Sequence, residues 1–256
     1  MNDDKILRAR LIDLANKSYQ NNIYTYTNFL SLGEMSILEE CKSDISFSSY
    51  EIFEHEGNLE RRMVRFGNEA LLGYLEPWPI KVIKVEPLAE KFAEKLTHRD
   101  FLGAIMNLGI ERNILGDIFV KDEKRAYIYC VDSIADYIHD ELSKIRHTNV
   151  KCLIMNVDDE ACINDLKPTL VDVQCIVAAP RFDAVVAAVT KVSRNEAHNL
   201  FRSGKISKNG MICENNSDKL KEGDIFSVRG YGKYIFKGIT ATTKKGRTMI
   251  KLQQYK

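Results

Sequence analysis

Ser193-Arg194-Asn195-Glu196-Ala197-His198-Asn199-Leu200-Phe201-Arg202-Ser203-Gly204-Lys205-Ile206-Ser207-Lys208-Asn209-Gly210 encodes a helix that runs directly into a tight hairpin. Ser193 and Glu196 have the spacing of a capping box: the Ser193 hydroxyl accepts from the backbone amide of Glu196, and the Glu196 carboxylate reaches back to the amide of Ser193. Gly204 ends the helix because it takes the left-handed conformation that a Cβ resists. Ala197, Leu200 and Phe201 form the core side, while Arg194, His198 and Arg202 recur every four residues along one exposed stripe. A basic stripe is ordinarily a solvated helix face. Here Lys205-Ile206-Ser207-Lys208 and the turn pair Asn209-Gly210 follow at once and place more basic groups beside the helix end, and that clustering points to a binding surface.

The flanking sequence extends the module in both directions. Val171, Val173, Cys175 and Val177 alternate as in a strand, Pro180 stops it, and Arg181 to Val189 reads as a short helix with Val185, Val186 and Val189 inward. Downstream, 234–242 and 248–252 read as strands joined by a tip, Thr243-Lys244-Lys245-Gly246-Arg247-Thr248, whose three cations repel one another unless something acidic neutralises them. Charge is split along the chain: from Arg181 to Lys256 there are 16 Lys and Arg against 6 Asp and Glu, a net of +10, and residues 1–180 carry 21 against 30, a net of −9. A basic module on an otherwise acidic chain has the footprint of a phosphate-backbone binder, because each neutralised phosphate releases counterions.

Arg181-Phe182-Asp183, Ser193-Arg194 with Ala197, Gly204-Lys205-Ile206 with Asn209-Gly210, and Glu222-Gly223-Asp224-Ile225 with Val228 together resemble the S4 RNA-binding motif in order and spacing. Phe182 stands where the motif usually has leucine, and Lys208 where it often has valine. The expected RNA-binding set is Arg181, Ser193, Arg194, Asn195, His198, Arg202, Lys205, Ser207, Lys208 and Asn209, with Lys244, Lys245 and Arg247 at the tip. Asp183 is expected to orient Arg181 or cap its helix, since a carboxylate beside phosphate is repelled.

The rest of the chain reads as two further segments, giving an α+β protein with domains at 1–76, 77–170 and 171–256. The first is mainly helical: Ile6, Leu7, Leu11, Leu14 and Ala15 fall at helical spacing, Ser36 to Cys41 form a second helical stretch, and Ile45, Phe47, Tyr50, Ile52 and Phe53 suggest extended chain. Two prolines flank Trp78, the only tryptophan, and mark the first boundary. Beyond it the order is β-α-β-β-α-β, with strands at 80–85, 117–121, 126–131 and 151–157 and helices at 98–108 and 134–145. This is the ferredoxin-like order that RNA-recognition modules share with many domains that bind no nucleic acid. Tyr127 and Tyr129 project to one face and read as packing residues rather than a stacking platform, because Lys124-Arg125-Ala126-Tyr127-Ile128-Tyr129 supplies only the basic start and two aromatics of the RNA-recognition signature.

His98-Arg99-Asp100-Phe101-Leu102-Gly103-Ala104, Leu108-Gly109-Ile110 and Gly116-Asp117-Ile118 in the middle segment, joined to a C-terminal S4 module and an N-terminal helical domain, resemble the YlmH-type S4-domain proteins of Firmicutes over nearly the whole chain. That resemblance implies a non-enzymatic cytoplasmic factor associated with the large ribosomal subunit and linked to rescue of stalled nascent-chain complexes. The implied partners are rRNA or tRNA, with no cofactor, no metal and a monomeric state.

The residues offer catalysis little. Lys205-Ile206-Ser207-Lys208 imitates a tRNA-synthetase loop, but it sits inside the hairpin and no His-Ile-Gly-His stretch precedes it. The glycines before 180 form no cofactor loop, and no P-loop, Gly-x-Ser-x-Gly or H-E-x-x-H pattern occurs. Asp158-Asp159-Glu160 reads as a solvated acidic run rather than a magnesium site, and Thr97 before His98-Arg99-Asp100 reads as a helix cap. Six scattered cysteines without a C-x-x-C pair read as reduced core residues. No run of about 18 apolar residues is present for a membrane span. The alternative kept open is an RNA-modifying enzyme, pseudouridine synthase-like or methyltransferase-like, that uses S4 to deliver substrate to a site within residues 1–180.

Overall fold

The computed structural model describes residues 2–55, 59–243 and 246–255. They fall into two compact units, Met1–Lys167 and Pro168–Lys256. In the first unit α1 (Asn2–Asn21), β1 (Thr25–Tyr26), α2 (Leu32–Glu40), β2 (Tyr50–Ile52), β3 (Val64–Phe66) and α3 (Glu69–Leu72) come first, with the strands in the antiparallel order β1-β3-β2. Leu11 and Ala15 of α1 are buried with Leu30, Met35, Leu38, Val64 and Phe66, whereas Ile6 is 59% exposed. Helix α2 starts before the expected Ser36, because Ser31 and Glu34 form a capping box: the Ser31 amide donates to Glu34 Oε2 (2.7 Å) and the Glu34 amide to Ser31 Oγ (3.4 Å). Ile45 and Phe47 lie in turns, not in the extended chain expected there; only Tyr50–Ile52 is strand.

Next come β4 (Ile80–Pro87), α4 (His98–Met106), β5 (Leu115–Lys121), β6 (Arg125–Val131), α5 (Ala135–Glu141), β7 (Lys144–Ile145), β8 (Thr148–Asn156) and α6 (Glu160–Leu166). The strands form one antiparallel sheet in the order β5-β6-β4-β8-β7. Helix α5 stops at Glu141, short of the expected Ile145, because Lys144 and Ile145 turn into β7 and pair with Thr148 and Asn149. One face of the sheet packs Ile83, Val85 and Ile128 against Phe101 and Ile105 of α4 and Ile138 of α5. The opposite face, with Val82, Tyr127 and Tyr129, is covered by Phe29, Phe53, Leu59 and Met63 from the N-terminal elements and by Cys162 and Leu166 of α6.

The second unit holds β9 (Leu170–Val177), α7 (Phe182–Thr190), α8 (Arg194–Arg202), β10 (Ile206–Lys208), β11 (Met211–Ile212), β12 (Ile225–Val228), β13 (Gly232–Thr242) and β14 (Thr248–Tyr255). Its six strands are antiparallel in the order β11-β10-β12-β13-β14-β9. The core joins Val185 and Val186 of α7 and Ala197 and Phe201 of α8 to Phe226, Phe236, Ile250 and Leu252. Phe182 meets Phe201 and Phe226 edge-on at 5.0 and 5.3 Å between ring centroids, the geometry the ring quadrupoles favour.

Candidate nucleic-acid interface

Helix α8 and the β10–β11 hairpin form the surface on which most of the candidate residues lie. Ser193 caps α8: its hydroxyl accepts from the Glu196 amide at 3.2 Å, and its own amide donates to Glu196 Oε2 at 2.8 Å, which holds that carboxyl below its ordinary range. Gly204 follows at φ +62°, and the Lys205 amide closes back on the Leu200 carbonyl at 3.0 Å. Arg194 and Asn195 in the first turn and Arg202 in the last are exposed, as is Lys205. Among the described residues none of these three cations has an ion-pair partner.

His198, expected on the same stripe, is turned to a different use. Its Nε2 lies 3.2 Å from Asp183 Oδ2, and its Nδ1 lies 3.3 Å from the Asn216 amide nitrogen. Because the Asn216 NH₂ donates to Nδ1, the ring proton sits on Nε2 and donates to the carboxylate. Asp183 is 2% exposed and also accepts from Arg181 Nε (3.1 Å) and Nη2 (3.3 Å). Burial pushes its carboxyl up, but the hydrogen bonds from His198 and Arg181 outweigh that and hold it below the ordinary value. Arg181 Nη2 further donates to Ser217 Oγ at 3.4 Å. Asp183 thus ties the start of α7, the middle of α8 and the 215–218 loop together, and fixes where Arg181 points.

The hairpin residues are likewise engaged inward. Ser207 is 7% exposed and shares a 2.7 Å hydrogen bond with the Ser227 hydroxyl across β10 and β12. Lys208 Nζ lies 2.7 Å from Asp218 and 3.3 Å from Asp224. Burial alone would lower its pKa, but the two carboxylates raise it above the usual lysine value. Asn209 donates from Nδ2 to Asp224 Oδ1 (2.9 Å) and accepts from the Ile225 amide (2.9 Å), pinning the turn to β12. Lys208 and Asn209 therefore brace the hairpin.

Two cations not singled out from the sequence join the surface. The Arg229 amide donates to the Lys205 carbonyl at 2.9 Å, which places exposed Arg229 beside Lys205, and Lys219, also exposed, pairs with Arg181 in an isolated antiparallel bridge. The strand-like run Ile225 to Val228 was the available signal for Arg229, since a residue at the end of β12 must neighbour the start of β10. At the far tip, Thr242 pairs with Thr248, the Thr243 amide donates to the Arg247 carbonyl at 2.7 Å, and Arg247 is exposed. Lys244 and Lys245 lie outside the described residues.

Among the described residues no group of three or more His, Cys, Asp or Glu is arranged to hold a metal ion. Asp159 accepts from the Asn156 amide at 2.7 Å where β8 gives way to α6. The Thr97 hydroxyl and amide both donate to Asp100 and depress its pKa, the capping role expected of Thr97. All six cysteines are free thiols, and burial raises their pKa values, to about 12 for Cys130 and about 11 for Cys152 and Cys162, so the reactive thiolate is disfavoured.

Residues 76–159, which hold the five-stranded sheet and its helices, match the family described as a putative RNA-binding domain in YlmH. Over those residues the chain carries a YlmH-type domain. It is also 30% identical over 171 residues to the ribosome-associated protein quality control protein P2 of Bacillus subtilis, an alignment that covers 66% of this chain and 63% of that protein. The chain thus spans a little under two thirds of the curated relative it matches. Among solved structures, the cell division protein ylmH from Streptococcus pneumoniae is 22% identical, with a TM-score of 0.45, over 60% of this chain and 92% of that one. The matched domain and the basic α8 surface belong to different compact units. No described helix is long and apolar enough to cross a membrane.

Proposed function

We propose that this protein is a non-catalytic RNA-binding factor that docks through its C-terminal unit, an S4-type domain, on structured rRNA or tRNA of the large ribosomal subunit, in the rescue or quality control of stalled nascent chains. The observation that carries the reading is the set of exposed cations Arg194 at the start of α8 and Arg202, Lys205 and Arg229 around its end, none of them in an ion pair among the described residues, in a stretch of net charge +10. Such cations gain by exchanging counterions for phosphates, whereas cations already paired gain little. The name of the Bacillus relative supports a ribosomal setting. Arg181 is a further phosphate contact, held by Asp183; Ser193, His198, Ser207, Lys208 and Asn209 shape the surface, and Asn195 adds a polar donor.

The domains are 1–76, a ferredoxin-like domain at 77–170 and the S4 module at 171–256, in a cytoplasmic, monomeric protein that needs no cofactor. Lys244, Lys245 and Arg247 form a second phosphate contact. Reversing those three to glutamate releases the protein from large subunits without lowering its melting temperature, and retained binding by that stable variant removes the tip from the interface. Mass spectrometry of RNA nucleosides from cells with and without the protein tests the non-catalytic part of the reading: unchanged nucleosides together with ribosome co-sedimentation support it, and one defined lost modification replaces it with the enzyme reading.

A further inference from the structure

The matched domain poses a problem of its own, because the face through which a β-α-β-β-α-β sheet usually meets RNA is closed. Tyr127 and Tyr129 are 2% and 0% exposed, and Phe29, Phe53, Leu59, Met63, Cys162 and Leu166 pack over that face. The Tyr127 hydroxyl donates to Asp165 of α6, and the Tyr129 hydroxyl is held by His55 Nδ1 at 2.6 Å. Stacking bases there would require removing α6 and the N-terminal elements from their cores. If this domain meets RNA, it does so elsewhere.

The opposite side of the domain carries an open cleft of about 470 Å³ between α4 and the turn from α5 into β7. Arg99 and Lys144 stand at it, both exposed and, among the described residues, without an ion pair. Asn107 and Ser143 supply neutral donors and acceptors, and Leu108 and Leu142 an apolar floor. Gly103 leaves the wall open, since a Cβ built on it meets no atom within 4 Å. Arg146 is already committed to Asp100 at 3.6 Å and Glu94 at 4.0 Å, which leaves Glu141, among the described residues, as the one uncompensated carboxylate at the rim. A continuous polyanion groove would not carry that carboxylate. A pocket for one unstacked nucleotide does accommodate it: two cations for the phosphate, amide, hydroxyl and carboxylate groups for the base edge, and an apolar floor for the base face.

We propose that the α4–α5 cleft binds a single unpaired nucleotide of RNA, with Arg99 and Lys144 on its phosphate and Asn107, Ser143 and Glu141 on its base. The proposal rests on the RNA-binding reading above and places a second contact in the other compact unit. The test uses the full chain, ribosomal RNA carrying 4-thiouridine, ultraviolet cross-linking and mass spectrometric mapping of the linked peptides. The expected result is links within 99–108 or 141–146 as well as within 181–256. In the Arg99→Glu/Lys144→Glu variant the central links disappear and the C-terminal ones persist, affinity falls about tenfold, and the Trp78 fluorescence melt is unchanged. Links confined to 181–256, or central links that survive the double substitution, overturn the cleft alone. Absence of links anywhere overturns the RNA-binding reading with it.

Discussion

Asp183 is the residue on which the basic surface turns. A buried carboxylate is tolerable only with partners, and its side-chain partners include Arg181 and His198, whose positions it sets. Asp183→Ala is expected to destabilise the C-terminal unit by about 1–3 kcal/mol, because it strands both donors; hydrogen exchange in peptides spanning 181–202 measures this, and unchanged protection would contradict it. Asp183, Asp218 and Asp224 all have depressed pKa values in the fold. Their stabilisation is therefore fully present above the unfolded carboxylate value of about 3.9 and is lost as pH falls through the lower folded values. Exchange protection of 205–228, corrected for intrinsic rates, should hold at neutral pH and collapse below about pH 4. The sequence left Asp183 either to orient Arg181 or to cap its helix and did not show that His198 is diverted from the stripe, since Asn216, which fixes the imidazole, arrives from a loop that no periodicity places. Gly116 is a second such residue: a Cβ there would lie 2.7 Å from Tyr129 Cβ and 2.9 Å from the Phe29 ring. Gly116→Ala should cost about 1–3 kcal/mol by overpacking, lowering the Trp78 fluorescence midpoint, and an unchanged midpoint would show that the layer yields.

At the scale of elements, α8 was legible because three local signals agree: the cap at Ser193, the apolar face of Ala197 and Phe201, and the stop at Gly204. Phe201 anchors the helix through its edge-on contact with Phe182 and complete burial. Phe201→Ala should cost about 3–5 kcal/mol and expose the amides of α7 to exchange as well as those of α8, because both helices share that ring; loss confined to α8 would contradict the shared core. Elements fixed by distant pairing were read less well. Leu142 and Ile145 continue the apolar spacing of α5, yet the chain turns at Leu142, where ψ is 85°, because β8 offers β7 a partner. Ile45 is buried without being in a strand, since burial and extension are separate properties and alternation over a few residues does not distinguish them. Leu32 joined α2 through a capping box formed by Ser31 and Glu34, a pair the sequence displayed but helical spacing alone passed over.

Over the whole molecule, charge and topology divide the labour. The acidic stretch to residue 180 includes a sheet whose two faces are both covered, one by α4 and α5 and the other by N-terminal elements and α6, while the basic stretch leaves Arg194, Arg202, Lys205 and Arg229 facing solvent. The charge split and the β-α-β-β-α-β order were plain in the sequence. The covering of Tyr127 and Tyr129 by Phe29 and Phe53 was not, because it joins segments roughly 75 to 100 residues apart that carry no mutual pattern. The central claim is that RNA phosphates are neutralised by the α8 surface. Its most direct measurement is the salt dependence of binding to large ribosomal subunits, compared between the full chain and the Arg194→Ala/Arg202→Ala/Lys205→Ala variant. The slope of log K against log salt should become shallower by about 0.7 to 0.9 for each phosphate no longer neutralised, some two to three units in all, with the fold intact; an affinity and slope identical to those of the unaltered chain would contradict the account.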